Sequence, residues 1–136
     1  VFRLSSVFGS GKSQHPNTIL DMARECLDSG QLTVWDSGKR MMQYVFIDNV
    51  IKYIYESFFL KPGIYNLGSN EYVSVADTAK LIADFFGAKI IFLKDKKEGA
   101  TLPFMDNNKL KNASKDYFTN FSTAIAKYLG SFKKSI

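Results

Sequence analysis

Gly9-Ser10-Gly11-Lys12-Ser13 has the residue types for phosphate chemistry: small residues that let backbone N–H groups converge, then a lysine and a hydroxyl. A phosphate loop also needs a glycine five positions before Gly11, so that the loop can curl, and Ser6 stands there. Pro16 and Asn17 postpone the helix that should begin at the lysine. The run departs from the phosphate-loop pattern, and a P-loop nucleotide binder acting through Lys12 is kept only as an alternative. Metal and nucleophile chemistry are poorly supplied. His15 is the one histidine and Cys26 the one cysteine, so neither a His/Cys ligand set nor a triad assembles. His15, in a loop before Pro16, is expected at the surface. Cys26, within a helical pattern, is expected as a buried structural thiol.

A second anion site is expected where the first helix starts. Asn17, Thr18 and Ile19 open that helix, and its free N–H groups and positive dipole end suit a phosphate.

The elements that must position these groups follow from the hydrophobic pattern. Val1 to Leu4 reads as a short buried strand, followed by a small, flexible stretch from Ser5 to Ser13. Ile19, Met22, Ala23, Cys26 and Leu27 repeat at helical spacing, and Gly30 is a natural stop. Leu32 to Trp35 is strand-like, Asp36-Ser37-Gly38-Lys39 a turn, and Tyr44 to Ile47 a second strand. Asp48 reads as the N-cap of a helix that buries Val50, Ile51, Ile54 and Phe58 and stops at Pro62-Gly63. Ile64 to Leu67 is a strand. Ser74 to Asp77 is a capping box opening a helix to Phe86, with Gly87 as its stop. Lys89 to Leu93 is a strand, a turn of helix lies near Lys109, and a last helix runs from Phe121 to Leu129. Alternating strands and helices predict an α/β fold with some parallel pairing. The strands are short and scattered, as expected if some belong to a sheet whose other strands lie upstream. The sequence opens with Val1 inside a strand-like run and without an initiator Met, so it is expected to begin inside a longer polypeptide.

Composition sets the class. With 46% hydrophobic and 23% charged residues the chain is a folded domain, and its 136 residues give room for one core. Fifteen per cent aromatic is high and implies a rich core or a surface meant to be covered. The net charge of +5 is carried mainly by lysines, clustered at Lys94, Lys96 and Lys97, at Lys109, Lys111 and Lys115, and at Lys133 and Lys134; Arg occurs only at positions 3, 24 and 40. Lysines in loops and at helix ends describe a solvated face, so no nucleic-acid partner is expected. No apolar run reaches the length of a membrane span and no signal peptide is visible, so no membrane partner is expected. The single cysteine fits a reducing compartment, and the cytoplasm is the expected location.

Five segments, taken in order, resemble one family. Arg3-Leu4-Ser5-Ser6-Val7-Phe8-Gly9-Ser10-Gly11 is similar to Arg-x-x-Asn-Val-Tyr-Gly-Pro-Gly. Leu32 to Trp35 with Tyr44 to Val50, Gly63 to Ser69, Val73 to Asp77, and Asp106-Asn107-Asn108-Lys109-Leu110 follow in register with the later motifs of the same family. The family is the extended short-chain dehydrogenases/reductases that act on nucleotide sugars, the NAD-dependent epimerases and dehydratases. The resemblance spans nearly the whole chain.

It implies a fold made of edge strands of a Rossmann sheet plus a small mixed α/β substrate domain, a single C-terminal sugar-nucleotide-binding portion over residues 1–136. The N-terminal NAD-binding half would be absent. It implies diphosphate contacts at Thr18 and Ile19 and a base site at Leu32, Val34 and Trp35, with Trp35 beside the base; core packing is the alternative for Trp35. The family's first diphosphate arginine falls at Met42, and Arg40, two residues earlier on the same strand edge, is the substitute. Its second falls near Lys97, a point charge in place of a fork. Ser6 stands for a family Asn and Asn49 for an Asp. The family's Tyr-x-x-x-Lys pair and its Gly-x-x-Gly-x-x-Gly turn have no counterpart here.

The expectation is therefore the substrate-binding half of an NAD(P)-dependent nucleotide-sugar epimerase/dehydratase, not catalytic alone. Its parent would use NAD or NADP, and no cofactor is expected on this chain. Its partners would be a nucleotide diphosphate sugar, the N-terminal half, and a second copy in a homo-oligomer. A free-standing nucleotide-sugar-binding or scaffolding module is the alternative from a different class.

Overall fold

Strands and helices alternate along the chain, as the pattern predicts. The computed structural model describes residues 1–11, 15 and 17–133, with Lys133 placed only as part of its helix. Lys12 and Ser13 of the glycine-rich run, and Lys134, lie outside the described residues.

Strand β1 (Phe2–Leu4) runs parallel to β6 (Tyr65–Leu67), and β2 (Ser6–Phe8) parallel to β5 (Tyr44–Phe46). Strand β3 (Gln31–Trp35) runs parallel to β8 (Lys89–Leu93), and β4 (Met41–Met42) antiparallel to β7 (Val73–Ser74). Five helices connect them: α1 (Thr18–Ser29), α2 (Ile47–Glu56, prolonged by a 3-10 turn over Ser57–Phe59), α3 (Val75–Phe86), α4 (Asn108–Ala113) and α5 (Phe121–Lys133). The strands form four separate pairs rather than one sheet.

Every residue of β5 is buried. Side chains alternate across a strand, so both of its faces must be covered. Tyr44 and Phe46 enter a core built by α1, α3 and α5 around Ile19, Leu32, Ile82, Ile125 and Leu129. Val45 enters a second core with Val50, Tyr53, Tyr65, Leu67 and Leu110. Phe8 packs edge-on against Tyr44 and Phe121, and the last two stack at 5.5 Å.

Local signals set the helix ends. Asn17 caps α1 by accepting the N–H groups of Ile19 and Leu20, at 3.1 and 3.3 Å. Ser74 caps α3 from Asp77 N–H at 3.0 Å, and α1 and α3 stop at Gly30 and Gly87.

Five expectations need correction. Val1 to Leu4 is not a buried strand, since Val1 is 83% and Leu4 46% exposed. The stretch after Ser5 contains β2, which has no period of its own to reveal it. Asp48 does not cap α2: Phe46 holds that position without a side-chain bond, and Asp48 pairs with Lys127 at 2.6 Å. The face of α2 that is buried carries Asn49, Val50 and Tyr53. Ile51, Ile54 and Phe58 are open to solvent, together with Tyr55 and Phe59. Leu27 on α1 is also exposed rather than core.

Asn49 explains itself structurally. Almost fully buried, it donates to Tyr117 carbonyl and to Thr119 Oγ1, and accepts Thr119 N–H at 3.2 Å, tying α2 to the segment before α5. No described helix is long and apolar enough to cross a membrane.

Candidate functional site

The C-terminal end of β3, the start of α1 and the turn after β3 enclose a cavity of about 380 Å³. Thr18, Asp21, Met22 and Glu25 line it from one flank of α1, and Thr33, Val34 and Trp35 from β3. Arg40, Met42, Tyr44, Val75, Glu98 and Gly99 close it. A second cavity of about 430 Å³ shares Thr18, Arg40, Met42 and Tyr44 with the first and adds Ser6, Val7, His15, Asn17 and Leu102. The shared residues make the two cavities one groove, running from Trp35 past Thr18 and Arg40 to Ser6.

Arg40 is held by a strap formed by residues 98–101. Glu98 accepts the backbone N–H groups of Arg40 (2.6 Å) and Lys39 (3.0 Å) and the Ser37 hydroxyl (3.3 Å). Arg40 Nε donates to the Ala100 carbonyl at 2.8 Å, and Met41 N–H to Thr101 Oγ1 at 3.1 Å. The guanidinium lies so close to Gly99 that a Cβ there would meet its Nη1 at 2.9 Å. The donated N–H bonds, that of Arg40 first, hold the Glu98 carboxyl below its ordinary pKa.

The turn that carries Ser37 to Arg40 also depends on Gly38, at φ 67°. A Cβ there would lie 2.7 Å from Val34 Cγ1 and 2.9 Å from the Ala76 backbone nitrogen. No side chain fits between β3 and the first turn of α3 at that point.

Tyr44 is buried where the two cavities meet, and its hydroxyl makes no hydrogen bond within normal geometry among the described residues. Burial pushes its pKa up to about 12, against the nearby Arg40 charge and Thr78 hydroxyl, which pull the other way. The phenol is therefore protonated and offers a donor. A buried polar atom left without a partner costs about 1–3 kcal/mol.

Of the residues expected from sequence, Thr18, Val34, Trp35 and Arg40 line the first cavity and Ser6 the second. Trp35 is 55% exposed, so it is not core packing. Three line neither cavity. Ile19 is fully buried and its N–H is already taken by Asn17. Leu32 is fully buried within β3, and its side chain serves the core. Lys97 is exposed, and its neighbour Glu98 reaches the groove instead.

Sequence reasoning missed Asp21, Glu25, Tyr44 and Glu98. Helical spacing puts Thr18, Asp21, Met22 and Glu25 on one flank of α1, and strand alternation puts Thr33 beside Trp35, so part of this was available. Glu25 accepts the Thr33 N–H (3.1 Å) and hydroxyl (3.2 Å), fixing that flank to β3.

The remaining shared motifs build architecture. Gln43 Nε2 donates to Ser69 carbonyl at 2.7 Å, and Asn107 receives Gly68 N–H at 2.8 Å. Lys109 Nζ donates to Ile64 carbonyl at 2.9 Å.

The first turns of α1 and α3 are capped by side chains, and α2 follows β5 without a glycine-rich turn. No three His, Cys, Asp or Glu side chains gather to hold a metal ion among the described residues.

No family model matches the chain. It is 32% identical over 103 residues to the GDP-L-fucose synthase of Dictyostelium discoideum, a match covering 69% of this chain and 32% of that protein. A crystal structure of a GDP-L-fucose synthetase from Naegleria fowleri superposes with a TM-score of 0.86 at 18% identity, covering 98% of this chain and 45% of the other. The UDP-glucose 4-epimerase of Thermotoga maritima, solved with UDP-glucose, gives 0.82 at 15% identity with the same coverage. The UDP-glucuronic acid 4-epimerase of Bacillus cereus, in complex with UDP-glucuronic acid and NAD, gives 0.80 at 18% identity and covers 99% and 45%. The chain thus spans about a third of the curated relative and less than half of these solved structures, and its fold is that of their C-terminal portion.

Proposed function

We infer that this chain, which resembles extended short-chain dehydrogenases/reductases in sequence and has the fold of their C-terminal half, provides the nucleotide-sugar-binding portion of an NAD(P)-dependent epimerase or dehydratase. The observation that carries this reading is the groove itself: an exposed indole at one end, a strapped guanidinium and an unpartnered phenol in the middle, and small polar groups beyond. A nucleoside diphosphate sugar asks for a flat surface for the base, a fork for the phosphates and hydroxyl partners for the sugar. Trp35 would take the base, Arg40, Thr18 and Tyr44 the diphosphate, and Ser6 the sugar.

Catalysis would need residues from outside this chain. No Tyr of the sequence is followed by a Lys four positions later, so the proton-transfer pair of such enzymes is not here. NAD or NADP would supply the hydride chemistry from the N-terminal half. The open surface supports such a partner: among the described residues β1 pairs only with β6, and the Ile51–Ile54–Phe58 face of α2 is exposed. A parallel pair is stable when further strands and helices cover it. A free-standing binding module uses the same groove and needs no such cover.

Titration of the purified polypeptide with nucleoside diphosphate sugars, by calorimetry, tests the reading. Saturable binding that is lost in Arg40→Ala is expected. Binding unchanged by that substitution, or no binding at all, removes the groove from consideration.

A further inference from the structure

We propose that Glu25 is the residue that chooses the base, and that it selects guanine. The proposal rests on the nucleotide-binding reading above and adds to it which base is read and by which group.

Thr33 and Trp35 lie on the same side of β3, at the same end of the groove. The Thr33 N–H stands apart from the pairing of β3 with β8. Left open, it would donate to a carbonyl oxygen on the edge of a base. Instead Glu25 Oε2 accepts it at 3.1 Å and accepts the Thr33 hydroxyl at 3.2 Å. A carboxylate has room for about four such bonds and donates none. Two are used, both on one oxygen, and the other oxygen of this half-buried group makes no bond among the described residues. Glu25 thereby converts a donating edge into a negatively charged accepting one, held in place by two bonds.

The bases respond differently to such an edge. Uracil and thymine present one N–H flanked by carbonyl oxygens, so a carboxylate meets repulsion beside its single bond. Adenine and cytosine present one amino group beside a bare ring nitrogen. Guanine alone presents two adjacent donors, the ring N1–H and the exocyclic amino group. Hydrogen bonds to a charged group are among the stronger ones, and a site whose polar groups are left unpaired rejects the wrong ligand.

Charge along the groove gives the same orientation. Asp21 and Glu25 line the end that contains Trp35. Among the described residues the lining of the second cavity includes Arg40 and no carboxylate. A nucleotide entering base-first toward Glu25 keeps its phosphates away from the acidic end and beside the guanidinium.

The test is calorimetric titration of the full polypeptide with GDP, UDP, dTDP, ADP and CDP, repeated for Glu25→Gln. The glutamine keeps an oxygen for the two Thr33 donors and must therefore turn its amide N–H₂ toward the ligand. The wild type is expected to bind GDP roughly ten-fold or more tightly than the other four. Glu25→Gln is expected to lose GDP affinity by a similar factor and to gain affinity for UDP, a reversal that simple loosening of the fold would not produce. Thr33→Val, which removes one anchor without changing shape, is the second variant and should narrow the preference with less loss of fold. Equal or tighter binding of UDP, dTDP, ADP or CDP by the wild type overturns the proposal and leaves the nucleotide reading intact. An unchanged GDP preference in folded Glu25→Gln also overturns it. Failure of all five diphosphates to bind overturns the nucleotide reading and this proposal together.

Discussion

Glu98 accepts the backbone N–H of Arg40 at 2.6 Å from a position 58 residues further along the chain. The bond has an acid-sensitive consequence. The Glu98 carboxyl titrates below its ordinary 4.5 in the folded chain, so its contribution is complete above that value and is lost as pH falls through the lower folded value. Wild type should therefore exceed Glu98→Gln in thermal midpoint at neutral pH. The gap should close below about pH 4.5 in melts followed by circular dichroism. A gap independent of pH contradicts the assignment.

Arg40→Ala should weaken nucleoside diphosphate binding by roughly ten-fold or more, because a fork against phosphate is removed and no other cation among the described residues lines the first cavity. Arg40→Lys should recover only part of the loss. Calorimetric titration of both variants against wild type checks the order.

Tyr44→Phe separates binding from stability. Removing a hydroxyl that has no partner should leave the protein as stable as before, or more stable by up to ~1 kcal/mol in urea unfolding. Affinity for the diphosphate should fall by roughly five- to ten-fold if the phenol donates to it. Loss of stability with unchanged affinity would assign the hydroxyl to the core instead.

Asn17→Ala should cost about 1 kcal/mol through loss of the α1 cap. The side chain also donates to the Val7 carbonyl at 3.3 Å, linking the helix start to β2. Urea denaturation should therefore show a loss at or above the ordinary value for a cap, and Asn17→Asp should restore most of the cap but not the link to Val7.

Phe58 and Phe59 are 81% and 75% exposed. Produced alone, the chain should self-associate through this face, and Phe58→Ser with Phe59→Ser should return it to a monomer in sedimentation velocity. Stable monomer behaviour of the unaltered chain would favour the free-standing module.

Much of the fold was legible because it is written locally. Ser74 with Asp77, Gly30 and Gly87 mark helix ends through bonds made within a few residues, and β8 matches its expected span from Lys89 to Leu93. The reading of α2 held for Val50 and failed for Ile51, Ile54 and Phe58, for a physical reason. Ile51, Ile54 and Phe58 make a true apolar stripe, but periodicity identifies a face without saying what covers it, and Val50 with Tyr53 supplies a second apolar face that the core takes. The middle of the candidate site was less legible than its ends. Trp35 and Thr18 could be placed from element boundaries, whereas Glu98 reaches Arg40, and Glu25 reaches Thr33, through contacts that no local pattern encodes.

Among the described residues strand β3 has β8 as its only strand partner, and β8 is synthesised long after it. As the polypeptide emerges from the ribosome, Leu32 and Val34 must wait unpaired until α3 and β8 have followed, since closing so long a loop carries an entropy cost that short-range turns avoid. The candidate groove is thus complete only after most of the chain has been made. Until Glu98 and Gly99 have been added, a nascent chain has no wall on that side with which to hold a ligand, and a nucleotide can stabilise only a domain that is already finished.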